Sequence, residues 1–425
     1  MRLILFLLLF SALQGSGQVK VNQKRIEQRV MELAKFGKDS LGRNYRIAFS
    51  AGDIEGRAYY IELMKAVGLD VSIDFAGNII GKRKGKDPSK NPIALGSHID
   101  MVPDGGNYDG VVGSMGALEV MEVLKENKII TEHPLELIIF SNEEGGTIGS
   151  MAMAGVLKMD ALKVVTSSGL TNYEGIKAIG GNPDSIRESS KNLGDYIAYL
   201  ELHIEQGGIL EQEKLQIGVV EGIVGIAHWE VTVEGFANHA GTTPMNKRQD
   251  ALLAASKFII AVNEAVNSVG GKHVGTVGKI TAFPGAYNVI PGKVVTSLEL
   301  RDLHSNKIDL IFKDIETRAA EISKSSNVKI SFRNLNVTSR PAFMDADIMI
   351  KISTVAKQLG YSQKTMQSGA GHDAQEMAHI TRAGMIFIPS VGGISHSPKE
   401  FSKPVDMANG ANVLLQTILA LDKEN

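Results

Sequence analysis

The feature that most constrains this chain is a repeated event. A short apolar run stops, and a polar cluster rich in His, Asp, Glu and Gly begins. The run at 92–95 delivers His98 and Asp100, and a Gly-rich turn then leads to Asp109 and Gly110. The run at 134–140 passes into Asn142, Glu143, Glu144, Gly145 and Gly146. The run at 199–204 ends in the cluster of His203, Glu205, Gln206 and Gly207, and the run at 385–389 leads into a Gly-rich loop with His396. Between them lie segments of helical period, at 111–125 and 406–421 among others. Strands that alternate with helices and end in polar loops describe an open α/β sheet, whose sites lie outside the carboxyl ends of the strands.

At 425 residues the chain is too long for one small core and suits two domains. From 225 the character changes. Residues 226–234 alternate polar and apolar, 250–266 read as an amphipathic helix, and 274–283 and 294–300 as strands. Residues 307–323 read as a second helix and 328–335 as a last strand. That order is the split βαβ, ferredoxin-like unit. Residues 225–337 are therefore expected to be a domain inserted into a first one formed by 18–224 and 338–425. Near the start, 20–38 has helical spacing, and a helix over 54–67 is expected to be capped by Asp53 and ended by Gly68.

Composition narrows the chemistry. The net charge is −2, so no basic field argues for nucleic acid. The chain has no cysteine, which excludes disulfides, thiolate metal sites and a cysteine nucleophile. A transition-metal site must then be built from carboxylates and the ten histidines. At the N-terminus, Arg2 precedes an apolar stretch at 3–13 and the small residues Gly15, Ser16 and Gly17. The stretch is short of the roughly 18 apolar residues of a membrane span. Residues 1–17 read as a secretory signal, with an uncleaved anchor as the alternative. Export to a periplasm or the outside is expected, with no stable membrane insertion after processing.

A site of imidazole and carboxylate suits Zn, Mn, Co or Ni. Two such cations need a carboxylate that bridges them, terminal ligands on each side, and a further carboxylate to take a proton from water. The adjacent pair Glu143–Glu144 can supply both a ligand and that base. Taken singly, each cluster has an ordinary structural reading, as a hydrogen-bonded strand end or a solvated surface. Their joint position at strand exits beside glycines is what favours a site.

The motifs GSHIDMVPDGGNYDG, SNEEGG, HIEQG, ANHAGTTPM, NVIPG, SGAGHDA and PSVGGISHSPKE occur in that order. With them the chain, from about 25 to 421, resembles the dinuclear-metal hydrolases that include aminoacylases and carboxypeptidase G. It is most similar to their hydantoinase/carbamoylase branch, which holds N-carbamoyl-L-amino acid hydrolases, allantoate amidohydrolases and β-ureidopropionases. The resemblance implies a mixed-sheet α/β metallohydrolase domain with an inserted ferredoxin-like lid and dimerisation domain. It implies two divalent cations. His98 and His203 would bind one, Glu144 and His396 the other, and Asp109 would bridge them. Asp100 would orient His98, Glu143 would be general base and then acid, and His239 would stabilise the oxyanion. Gln206, Asn288, Arg301, Gly371 and His372 would contact the substrate. His239 and Asn288 would reach the site of a partner subunit, which makes a homodimer the expected state.

The expected activity is hydrolysis of a linear C–N bond in a small ureido or amide acid, of the N-carbamoyl amino acid, allantoate or β-ureidopropionate type. An N-acyl amino acid deacylase or short-peptide metallopeptidase stays open as an alternative, as does a non-catalytic binding protein on the same fold. Three residue-level alternatives also stand. His239 has a reading as a satisfied turn histidine before Gly241. Arg301 has Glu299 and Asp302 nearby as salt-bridge partners, and His372 has a purely structural reading. Related carbamoylases continue the double Glu as E-E-G-x-R-F, where this chain has Gly146, Thr147 and Ile148. That departure leaves the metal residues alone and touches the choice of substrate.

Overall fold

A computed structural model describes residues 19–335 and 339–424; the segment 1–17, read above as a processing signal, lies outside the described residues. Nine strands form the main sheet. In chain order they are β1 (Asp70–Ile73), β2 (Ile79–Arg83), β3 (Ile93–His98), β4 (Leu135–Phe140), β5 (Ala198–Ile204) and β6 (Ile217–Ile223), then Ala342–Phe343, Gln363–Ser368 and Ala383–Ile388. The centre is four parallel strands, ordered β4, β3, β5 and Ala383–Ile388. Antiparallel strands extend it on both sides, β2 and β1 beyond β4, and β6 beyond Ala383–Ile388.

Every residue of the four parallel strands is buried. A sheet covered on both faces needs apolar side chains on both, so its strands appear in the sequence as unbroken apolar runs. Alternate residues feed two cores. Ile93, Leu95, Leu137, Leu200 and Ile386 pack with the helices Val111–Glu126 and Pro404–Leu421. Ala94, Ile138, Tyr199 and Phe387 pack with Tyr196, Met377 and Ile380 on the other face. Because the four strands are parallel, their carboxyl ends share one edge. His98, the turn after β4, His203 and the loop after Ala383–Ile388 are thereby delivered to one place.

One helix start differs from expectation. The helix Ala51–Ala66 is capped by Ser50, not Asp53. Ser50 Oγ accepts from the Asp53 amide at 3.2 Å, while the Asp53 carboxylate reaches back to the Phe49 amide at 2.8 Å. The true cap thus stands three residues before the acid that caught attention.

The chain leaves β6 at Ile223 and rejoins the same sheet at Ala342, which pairs with Ile223. In between, an antiparallel sheet runs in the order Lys329–Asn334, Gly225–Glu234, Lys293–Asp302, Ile280–Phe283. This is the ferredoxin-like order, backed by the helices Ala251–Ser268 and Ser305–Ser326. Their shared core includes Val231, Phe258, Val262, Leu298, Ile311 and Ile315. Trp229, the only tryptophan, stacks on Phe312 with ring centroids 4.1 Å apart. The strand expected over 274–283 is broken into Val274–Thr276 and Ile280–Phe283. Between them the Gly278 and Lys279 amides donate to Ser297 Oγ at 3.1 and 3.0 Å, so a side chain replaces the ladder there.

Candidate active site

At the shared edge, His98 ends β3 and is buried. Its Nδ1 lies 3.1 Å from the carbonyl of Asp100. His203, near the end of β5, places Nδ1 2.9 Å from the Ile204 carbonyl. A backbone carbonyl can only accept, so each ring carries a proton on Nδ1 and turns Nε2 toward the site, where a cation would take its lone pair. Both Nε2 atoms face Asp109 Oδ1, at 3.7 Å from His98 and 3.1 Å from His203. The other carboxylate oxygen, Oδ2, lies 3.2 Å from Nε2 of His396, which in turn is 3.6 Å from Glu144 Oε2. Two of the three donor groups among the described residues share Asp109, His98–His203–Asp109 and Asp109–Glu144–His396; the third is Glu201–His203–His372. Asp109 belongs to the first two, one oxygen to each.

Local backbone makes this possible. Gly110 has a φ of +63°, and a Cβ there would stand 2.4 Å from the His98 ring. Only glycine lets the chain turn from Asp109 into the helix Val111–Glu126 beneath the imidazole. His396 and Gln206 also adopt positive φ, 52° and 56°, without being glycine. Backbone strain of this kind is concentrated at functional sites.

The residues present fit divalent cations. Donors around a tetrahedral ion at bonds of ~2.1 Å are spaced by about 3.4 Å, and the gaps above span 3.1–3.7 Å. Glu144 Oε1 is buried with no hydrogen-bond partner among the described residues, an orphan that a cation would satisfy. The charge balance points the same way. Burial, the Asp109 charge and other neighbours push Glu144 up to about 7. Burial, with Asp373, Glu144 and Asp100 close by, pushes Glu143 well above the ordinary carboxylate range against the pull of His98. Burial would raise Asp109 too, but hydrogen bonds to His203 and His396 hold it well below its usual value. His396 is raised to about 9, first by its bond to Asp109. Glu143 and Glu144 are thus carboxylates pushed toward holding protons, and a divalent ion beside them would favour their charged forms.

Glu143 stands beside the His98–His203–Asp109 group. Its Oε2 is 3.6 Å from His98 Nε2. The Asp100 carboxylate accepts from the Glu143 and Glu144 amides at 3.3 and 3.2 Å, and lies 3.6 Å from His98 Nδ1. It thus ties the turn after β4 to the end of β3, while the Asp100 carbonyl sets the His98 tautomer. Gln206 Nε2 donates to Asp109 Oδ2 at 2.6 Å, which puts this side chain at the shared carboxylate.

The other sequence-predicted residues lie further out. His372 is buried, with Nε2 2.8 Å from Ser368 Oγ and its ring edge-on to His203 at 4.4 Å. Gly371 is half-buried. Arg301 holds Glu299 with its fork, Nε and Nη2 at 2.7 and 3.1 Å, and Nη1 donates to the Gly369 carbonyl at 2.7 Å. The salt bridge weighed against substrate binding is therefore formed. His239 is exposed on the short strand Asn238–His239, which pairs with Val289–Ile290 just after Asn288. The amides of Gly241 and Thr242 donate to its Nδ1 at 3.0 and 3.2 Å. That leaves its ring proton on Nε2, a donor. Sequence reasoning missed Glu400 and Glu201. Glu400 accepts from the Tyr108 and Asp109 amides. Glu201 accepts from Ser97 Oγ and the Ala374 amide. A signal existed for Glu201, a lone acid at an inward position of an apolar strand; Glu400 stood inside a quoted motif without an assigned role.

A site at the carboxyl edge of parallel strands, with two imidazole–carboxylate groups sharing one carboxylate, is the donor arrangement that a two-cation hydrolase needs. The chain belongs to the Peptidase family M20/M25/M40, whose model matches residues 94–420. It is 39% identical over 406 residues to an N-carbamoyl-L-amino acid amidohydrolase of Geobacillus stearothermophilus, covering 94% of this chain and 99% of that protein. It is 38% identical over 424 residues to a ureidoglycolate hydrolase of Arabidopsis thaliana, covering 97% and 89%. The solved structure of a hydantoinase/carbamoylase family amidase from Burkholderia multivorans matches with a TM-score of 0.88 at 33% identity, covering 96% of this chain and 99% of that one.

Proposed function

We propose that this protein is a metal-dependent amidohydrolase that cleaves the linear C–N bond of an N-carbamoyl amino acid or a related ureido acid. The observation that carries the reading is the division of Asp109, one carboxylate oxygen to each donor group, with Glu143 alongside. His98, His203, Asp109, Glu144 and His396 would hold two cations of the Zn, Mn, Co or Ni kind. When bound, such ions polarise the substrate carbonyl and lower the pKa of water.

The chain's own residues do the rest. Glu143, fixed at its backbone by Asp100, takes a proton from water and returns it to the leaving nitrogen. Gln206 sits where the ureido group would meet Asp109. His239 offers an Nε2 proton to the developing oxyanion. For an N-carbamoyl substrate the products are the free amino acid, carbon dioxide and ammonia.

Residues 225–337 act in this reading as a lid that also dimerises. Support comes from its surface. Leu253 and Ile260 are exposed seven residues apart, on one face of a helix, and Ile280 and Phe283 are exposed on an unpaired sheet edge. Apolar side chains beside an open edge suit a second copy of the chain. Export is inferred from the N-terminal sequence pattern; no helix among the described residues is long and apolar enough to cross a membrane.

The test is a panel of N-carbamoyl amino acids, ureido acids, N-acyl amino acids and dipeptides on protein reconstituted with Mn²⁺ or Zn²⁺. Ammonia release from the first two classes is expected. Amino-acid release from dipeptides, without ammonia from any carbamoyl substrate, would replace this reading with a peptidase.

A further inference from the structure

The two donor groups are not equally anchored. His98 and His203 stand on buried central strands, whereas His396 is half exposed on a loop with a left-handed backbone. What holds that loop is Glu400, four residues on. Its side chain is buried, and both oxygens are engaged from opposite directions. Oε1 accepts from the amides of Tyr108 and Asp109 at 2.9 and 3.0 Å. Oε2 accepts from Ser395 Oγ at 2.8 Å and from the His396 amide at 3.3 Å. Ser395 Oγ also lies 3.2 Å from Asp109 Oδ2. The cradle is shaped for this carboxylate, since a Cβ on Gly106 would fall 2.1 Å from Glu400 Oε1.

We infer that Glu400 is a positioning residue for the outer cation: it clamps the shared ligand Asp109 to the His396 loop and so sets the affinity of the Asp109–Glu144–His396 group more strongly than that of the His98–His203–Asp109 group. This rests on the two-cation reading above. Four donors converge on two acceptor oxygens. A carboxylate answers all four, while an amide presents one acceptor and one donor and turns half of the clamp into a donor facing donors. The inner imidazoles are held by their own carbonyls and do not depend on Glu400. Loss of groups that orient ligands typically costs 10–100-fold in metal affinity.

The test is calorimetric titration of metal-free protein with Mn²⁺, comparing the wild type with Glu400→Gln and the milder Ser395→Ala. The wild type should take up two ions per chain. In Glu400→Gln one ion should weaken by about 10–100-fold and the other by much less, and Ser395→Ala should weaken the first ion by less than Glu400→Gln does. Equal weakening of both ions, or of neither, in variants whose thermal unfolding matches the wild type overturns the inference. If Glu400→Gln fails to fold, Ser395→Ala decides by the same criterion. A wild type that binds no metal would instead remove the two-cation reading itself, so the two failures are distinguishable.

Discussion

What each side chain at the strand edge can do is set by the bonds it has already made. His98 and His203 have spent Nδ1 on backbone carbonyls and keep Nε2 turned to the site; His239 has spent Nδ1 as an acceptor and keeps Nε2 as a donor. In the proposed reading the same residue type would thereby be a ligand in one place and an oxyanion partner in another. Glu143 is the residue with no such prior commitment of its carboxylate to a cation group. Replacing it by Gln removes the proton carrier but keeps the shape. Activity should fall by ~10²–10⁴-fold, with metal content unchanged by elemental analysis. A variant that lost an ion along with its activity would make Glu143 a ligand. The sequence placed the imidazoles and carboxylates at strand exits because apolar runs announce where strands stop. It left Glu400 inside a quoted motif without a role, because its partners include backbone amides almost 300 positions away, and backbone donors have no residue code. Nor did it decide for Arg301, where Glu299 and a substrate carboxylate offer the same planar geometry.

At the scale of elements, the short helix Asp373–Met377 is the least expected piece, since all five of its residues are buried and three are polar. Gln375 joins it to the chain's return from the second sheet, donating to Ser339 Oγ and the Arg340 carbonyl. Glu376 is held up to about 7 by burial, which outweighs a hydrogen bond from Thr147. A raised carboxyl binds its proton more tightly folded than unfolded. Its contribution to stability is therefore complete below the unfolded value of 4.5 and is lost as pH rises through about 7. Glu376→Gln stays neutral throughout. Relative to the wild type it should gain about 2 kcal/mol between pH ~5 and pH ~8. Thermal unfolding of both proteins at the two pH values measures this, and a constant difference would show that Glu376 does not titrate in that range. The helix escaped sequence analysis because GHDAQEMA lacks a continuous apolar stripe. The strand Gln363–Ser368 escaped for a related reason: QKTMQS is mostly polar and is a strand only through its pairing with β6.

For the whole molecule, the question is whether one chain holds a complete site. His239 is on a separate two-stranded ribbon and Asn288 directly precedes its other strand, whereas the two donor groups are on the first sheet's edge. If the lid of one subunit serves the site of the other, two inactive variants should complement. Glu143→Gln lacks the proton carrier and His239→Ala lacks the oxyanion donor, so each homodimer is expected to be nearly inactive. In a mixed dimer, the subunit with intact Glu143 would receive the intact His239 of its partner. One of the two sites is then whole and the other carries both lesions, and the symmetry of a two-fold dimer allows no other distribution. Co-expression with two different tags and purification of the mixed dimer should therefore recover about half of wild-type activity. If His239 served its own chain, each site of the mixed dimer would carry one lesion and activity would stay near zero. The Leu253, Ile260, Ile280 and Phe283 surface gives the parallel handle. Ile260→Lys should shift the protein to the mass of a monomer in light scattering and remove activity together with it, although no residue of the metal-binding edge has changed.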